Sequence, residues 1–125
     1  MNGTQQKSTD LKLRTKHYAL RVIETYSSLS KSTVSQTLGK QLLRSSTSVA
    51  AQYREACRAK SDADMINKFE SVLQELDESL LWIELLCEAK IIKSDRAEPL
   101  ARETNELISI FVASVKRIKA RRSLL

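Results

Sequence analysis

Only three residues in this chain readily interrupt a helix: Gly3, Gly39 and Pro99. Glycine costs about 1 kcal/mol and proline about 3 kcal/mol relative to alanine inside a helix. All-β folds and nucleotide-binding α/β folds are punctuated by glycine-rich turns, and a chain of 125 residues with two glycines cannot supply them. That length suits one domain with one core. Helices are what remains.

The apolar residues recur at helical spacing. Leu11, Tyr18, Val22, Tyr26 and Leu29, widened by Ala19 and Ile23, share one face of a helix expected from Asp10 to about Leu29. Residues 1–9 are polar and aperiodic and read as a disordered lead-in. After Ser30-Lys31-Ser32-Thr33, a capping box of Thr33 with Gln36 opens a second helix over Val34 to Arg58. Its inner row is Leu38, Leu42, Ser45, Val49, Tyr53 and Ala56, and Gly39 inside it suggests close packing by a neighbour. Ser61 with Asp64 caps a third helix, Asp62 to Ala89, whose stripe includes Met65, Phe69, Val72, Leu76, Leu80, Ile83 and Leu86. Pro99 is expected near the start of a fourth helix, capped by Asp95 or by Glu98, because deeper inside it removes a backbone hydrogen bond. That helix carries Leu100, Leu107, Ile108, Phe111, Val115 and Ile118 and fades into the tail at 123–125.

Four helices of roughly 20–28 residues joined by short loops specify antiparallel neighbours. The fold expected is all-α: an antiparallel up-down-up-down four-helix bundle spanning residues 10–122. No apolar run reaches the ~18 residues of a membrane span, so no membrane partner is expected. Cys57 and Cys87 form no disulfide framework, which points to a cytoplasmic location.

Catalytic and metal chemistry have little to stand on. The chain has one histidine, His17. Bundle di-metal sites use paired Glu-x-x-His motifs, whereas this chain offers only Glu75-x-x-Glu78 and Glu84-x-x-Cys87. Ser45-Ser46-Thr47-Ser48 lack a histidine partner, and there is no phosphate-binding glycine loop. No catalytic residue, metal or cofactor is therefore assigned.

A polar stripe sits beside the core row instead. Arg44, Ser48, Gln52 and Glu55 share a face of the second helix, and Glu75, Glu78 and Trp82 make a similar stripe on the third. If these helices turn back near residue 61, facing positions sum to about 122 and Arg44 meets Glu78. The expectation is a structural network that fixes the hairpin, as either an exposed set of ion pairs or a buried, register-setting one.

The segment Gln41-Leu42-Leu43-Arg44-Ser45-Ser46-Thr47-Ser48-Val49-Ala50-Ala51-Gln52-Tyr53-Arg54-Glu55-Ala56 resembles the signature of the small bacterial four-helix-bundle protein family. The similarity continues through residues 58–68, Glu75-Leu76-Asp77-Glu78-Ser79 and Trp82-Ile83-Glu84-Leu85-Leu86, with Gln52 where that pattern usually has Asn. The family includes proteins encoded in intervening sequences of large ribosomal RNA genes and the accessory variability determinant of diversity-generating retroelements. The resemblance implies a homopentamer and, in the retroelement branch, binding to a reverse transcriptase and its RNA. Flanking apolar residues Ile23, Leu43, Leu81, Leu85, Ile108 and Val112 exceed what a narrow core seam needs, which suits a subunit interface as well as a well-filled monomer.

Charge is unevenly spread. Residues 62–90 hold eight acidic residues against two lysines, whereas residues 116–122 hold five basic residues and no acid. With a formal charge of +6, the expected partner is the phosphate backbone of RNA or DNA. The candidate contacts are Lys116, Arg117, Lys119, Arg121 and Arg122, helped by Lys12, Arg14, Lys16, Arg54, Arg58 and Lys60. No aromatic residue interleaves the terminal run, so sequence reading there has no basis. The expected function is a non-catalytic, homo-oligomeric accessory protein with a basic surface for nucleic acid or a reverse transcriptase–RNA complex. The alternative is a ribosomal-RNA intervening-sequence-type structural or interaction module that does not touch nucleic acid.

Overall fold

A computed structural model describes residues 3–123 of the chain, with side chains from residue 10. It contains four helices: α1 (Gly3–Ser27), α2 (Thr33–Ala56), α3 (Asp62–Glu88) and α4 (Ser94–Ser123). Each packs against the next, α1 also meets α4, and the diagonal pairs stay apart, which is the ring of contacts of a four-helix bundle. Cross-helix contacts run antiparallel at every seam: Tyr26 with Gln36, Ser45 with Ser79, Glu70 with Lys119, and Tyr18 with Thr104.

The ends differ from expectation in three places. α1 begins at Gly3 rather than Asp10 and so takes in most of the span read as a lead-in. Thr4–Thr9 contains neither Gly nor Pro, so nothing in it stops a helix. Met1, Asn2 and the last two residues of the tail lie outside the described residues. The cap of α2 is Ser32, whose Oγ accepts from the Ser35 N–H at 3.2 Å, not Thr33. Gln36 instead ties the loop, donating to the Ser30 carbonyl and accepting from the Tyr26 hydroxyl. Pro99 lies inside α4, two residues deeper than a cap at Asp95 would put it and five deeper than a cap at Glu98, because the helix already starts at Ser94.

The other caps follow the sequence. Ser61 Oγ accepts from the Asp64 N–H at 3.0 Å. Acidic Asp62 and Asp64 complement the positive end of the α3 dipole. At its far end α3 closes through Lys90 in the left-handed region (φ 60°). The Ile91 N–H donates to the Leu86 carbonyl and the Lys90 N–H to Cys87. This is the helix stop that glycine usually makes, built here with a lysine.

The core divides into two apolar halves. One holds Val49, Phe69, Val72, Leu76, Leu107 and Phe111, with Tyr53, Phe69 and Phe111 packed ring to ring at 5.4–6.3 Å. The other holds Val22, Leu42, Ile83, Leu86 and Leu100. Between them each helix contributes one buried hydroxyl: Tyr18, Ser45, Ser79 and Thr104. Ser45 and Ser79 are 2.7 Å apart, as are Tyr18 and Thr104. Thr104 donates its hydrogen to the Leu100 carbonyl, so the Tyr18 phenol is the donor to Thr104. Burial raises the Tyr18 pKa above its ordinary value, with the neighbouring hydroxyls of Thr104 and Ser79 opposing.

Among the described residues, Gly39 is a position where close approach favours glycine. A Cβ there would lie 2.5 Å from Leu29 Cδ1 and 3.0 Å from the Tyr26 ring. The end of α1 rests on that bare stretch of α2.

Candidate nucleic-acid interface

Alternating helix direction brings the start of α1, the end of α2, the start of α3 and the end of α4 to one end of the bundle. Every basic candidate from the sequence sits in this half. Residues 10–18, 47–74 and 107–123 carry twelve Lys and Arg against five Asp and Glu; residues 19–46 and 75–106 carry eight against ten. The bundle is therefore electrically polar along its axis, and the segregation seen along the chain becomes a segregation in space.

The cations at this end do not all stand free. Arg14 reaches across the α1–α4 seam, donating to Glu103 at 2.9 and 2.7 Å and also to Glu106. The fork of hydrogen bonds that Arg14 donates to Glu103 holds the Arg14 guanidinium well above its ordinary value and, reciprocally, holds the Glu103 carboxyl below the usual carboxylate range. Arg14 is thus a brace where α1 and α4 approach least, a correction to its reading as a phosphate contact. Arg121 pairs with Asp62 at 2.8 Å and Lys119 with Glu70 at 3.4 Å, pinning α4 to α3. Lys68, not singled out from sequence, pairs with Glu55 at 3.8 Å.

Lys12, Lys16, Arg54, Arg58, Lys60, Lys116, Arg117 and Arg122 are exposed, and their side-chain cations have no carboxylate within 4.0 Å among the described residues, although the Lys60 backbone N–H donates to Asp64 at 3.4 Å. Arg117 donates only to Ser114, at 3.3 Å. The dipoles of α2 and α4 favour cations in their last turns, which accounts for Arg54 and Arg122 structurally. It does not account for Arg58 and Lys60, beyond the end of α2, or for Lys116, more than a turn inside α4. Those remain available to an anionic partner.

The polar stripe divides in two. Arg44 bridges both carboxylates of α3, at 3.2 Å to Glu75 and 3.1 Å to Glu78, so the hairpin register read from the sequence is the one formed. It is not a buried pair: the Arg44 and Glu78 side chains are 50% and 46% exposed, and only Glu75 is enclosed, at 10%. A hydrogen bond shared with Glu75 raises the Glu78 carboxyl above its usual range, with Arg44 opposing. Ser48 donates to the Arg44 carbonyl within its own helix, and Glu55 turns to Lys68. Gln52 Oε1 and Trp82 Nε1 are buried with no hydrogen-bond partner among the described residues, so neither joins the network.

Among the described residues no cluster of three His, Cys, Asp or Glu side chains could hold a metal. No described helix is long and apolar enough to cross a membrane. A surface cavity of about 660 Å³ opens at the other end of the bundle beside Ser30, Ser35, Lys90 and Arg96.

Comparison with curated proteins returns no match. A solved structure does superimpose: the 1.70 Å crystal structure of a protein of unknown function from the S23 ribosomal protein family of Bacteroides thetaiotaomicron VPI-5482. The two share 32% identity with a TM-score of 0.82, over 88% of this chain and 98% of that one. The sequence profile of the 23S rRNA-intervening sequence protein matches residues 7–113. With most of its length covered by that profile and its fold shared with an S23-family structure, the chain belongs to the 23S rRNA-intervening sequence protein family.

Proposed function

We propose that this chain is a non-catalytic accessory protein that presents the basic end of its bundle to nucleic-acid phosphate and reads no sequence. The observation carrying this is the excess of twelve basic over five acidic residues in one half of the bundle, against eight and ten in the other. Arg54, Arg58 and Lys60 at the α2–α3 turn and Lys116, Arg117 and Arg122 on α4 form the contact set. Arg forks onto phosphate oxygens and Lys acts as a point charge, so exposed, flexible side chains suffice. The protein acts as a homo-oligomer, a pentamer in keeping with the resemblance of residues 41–56, which repeats the basic end around one axis. Sequence choice then comes from a partner, a reverse transcriptase in the retroelement branch.

Gel retardation tests this on unrelated RNAs of equal length. Arg54, Arg58, Lys60, Lys116 and Arg122 replaced together by Gln should weaken binding about equally for every sequence. A second reading has its own support, since Arg14, Lys119 and Arg121 already have carboxylate partners. In it the protein is an intervening-sequence-type structural or interaction module without nucleic-acid contact. Absence of retardation of RNA and DNA at low salt would favour that reading.

A further inference from the structure

The half of the bundle away from the basic end is acidic in sum, yet three of its eight Lys and Arg line one cavity. Lys90, Lys93 and Arg96 stand around an opening of about 660 Å³ where the α1–α2 and α3–α4 loops meet, with Asp95 the one carboxylate among its lining residues. Lys90 and Lys93 are exposed and enter no ion pair within 4.0 Å among the described residues. Arg96 is fixed by α1: its Nε donates to the buried Thr25 hydroxyl at 3.2 Å, and Glu24 lies 4.0 Å from its guanidinium.

Helix electrostatics do not account for this grouping. The end of the α3 dipole favours a cation at Lys90, but Lys93 and Arg96 stand at the start of α4, where the dipole favours anions. The Lys93 carbonyl accepts the first α4 hydrogen bonds, from the Arg96 and Ala97 N–H groups. Lys93 therefore holds the cap position that Ser, Thr, Asp or Asn usually fills, and its side chain has no oxygen to offer. Lys90 carries a separate cost, a left-handed backbone (φ 60°) that glycine adopts more cheaply. Positive charge is thus concentrated where folding alone favours the opposite sign. The cavity wall also holds a hydroxyl able to donate. Ser35, 4% exposed, accepts from Ser30 Oγ at 3.1 Å and has no acceptor for its own hydrogen among the described residues. Beside these polar groups, Leu29 and Ile92 give the cavity an apolar floor.

We infer that this cavity binds a phosphate monoester of nucleotide size, with Lys90, Lys93 and Arg96 around the dianion and Leu29 and Ile92 under its organic part. Three cations against one carboxylate suit a doubly charged group better than a single carboxylate, and Arg and Lys are the side chains that hold phosphate oxygens. The volume lies in the range of small-molecule sites, about 300–1,000 Å³, and exceeds what a bare phosphate fills. The same chemistry is offered by a free mononucleotide and by the 5′-phosphorylated end of a strand. This site is at the opposite end of the bundle from the phosphate-backbone surface proposed above and does not depend on it.

The test is calorimetric titration of the full chain at physiological salt with adenosine 5′-monophosphate, with adenosine, and with a trinucleotide carrying either a 5′-phosphate or a 5′-hydroxyl. The monophosphate should bind with a Kd below about 1 mM, and adenosine should not bind. Lys90→Gln with Lys93→Gln should weaken the monophosphate at least about tenfold, with far-UV circular dichroism and retardation of 5′-hydroxyl RNA the same as for the wild type. Lys90→Arg with Lys93→Arg keeps the charge and should keep the affinity, which separates loss of the site from loss of folding. A 5′-phosphorylated trinucleotide that binds more tightly than both the monophosphate and its 5′-hydroxyl form identifies a strand end as the source. The monophosphate binding more tightly than either trinucleotide identifies a free nucleotide. No binding of the monophosphate, equal binding of adenosine, or a Gln variant that binds as the wild type does overturns the site.

Discussion

Arg44→Ala tests the seam between α2 and α3. Removing Arg44 takes away an exposed ion pair to Glu78, of a kind typically worth 0–1 kcal/mol, and a charged hydrogen bond to enclosed Glu75, of a kind worth about 1.5–3 kcal/mol. Half of the Arg44 side chain is exposed, so water can reach the carboxylate it leaves, which places the loss near the low end. We expect about 2 kcal/mol, less than the 3–5 kcal/mol that breaking a fully buried pair costs. Ala and Arg have similar helix propensities and do not blur the comparison. At about 4 °C per kcal/mol for a domain of this size, Tm should fall by roughly 8 °C. The pH dependence carries more information than the size. The folded-state pKa of Glu78 lies above its unfolded value. Its contribution is therefore fully present below the unfolded value, about 4.3, and is lost as pH rises through the folded one. Without the guanidinium that opposes this shift the effect grows, so the gap between variant and wild type should narrow as pH drops from 7 toward 5. Adding Glu78→Gln to Arg44→Ala should recover part of the lost stability at pH 7. A loss below about 0.5 kcal/mol, or a gap unchanged by pH, would refute the bridging role.

Gly39→Ala should lower Tm despite its gain in helix propensity, because the new methyl meets Leu29 and Tyr26; a net loss of about 1 kcal/mol by chemical denaturation is expected, and a gain would contradict the packing. Lys90→Gly should raise stability by about 1 kcal/mol, since glycine takes the left-handed helix stop without a Cβ penalty; a lower Tm would show that the lysine side chain contributes there. Glu103→Gln tests the Arg14 brace. The depressed Glu103 pKa contributes stability above its unfolded value, about 4.3, that is lost as pH falls through the folded value. Denaturant titrations at pH 7 and pH 3 should therefore show a smaller deficit for the variant at pH 3 than at pH 7, and an equal deficit at both would contradict the brace.

The helices and their buried faces were legible because apolar spacing records them directly. The Arg44–Glu78 register was legible too, because a short turn at Ser61 fixes which α2 residue meets which α3 residue. Contacts between distant segments were not. Nothing near Arg14 announces Glu103, which is 89 positions away across a seam that no short loop sets. The sequence leaves the cap of α2 ambiguous by a residue because Ser30, Ser32 and Thr33 all offer hydroxyls within four positions. Pro99 does not locate the start of α4, because proline prefers the first turn of a helix without being confined to it. The central layer of four hydroxyls draws one residue from each helix and has no signature in any single one. Charge segregation was visible along the chain, but its collection at one end follows from the antiparallel topology.

The most direct measurement is the salt dependence of RNA affinity for the wild type and for the variant with Arg54, Arg58, Lys60, Lys116 and Arg122 replaced by Gln. Neutralised phosphates release counterions, so log K falls against log salt with a slope of about −0.7 per contact on single strands. With up to six cations per subunit in the contact set, we predict a wild-type slope between about −2 and −4 per subunit, alike for unrelated sequences, and a variant slope no steeper than about −0.7, the share of the remaining Arg117. Affinity that ignores salt, or a variant as steep as the wild type, would contradict a phosphate-binding basic end.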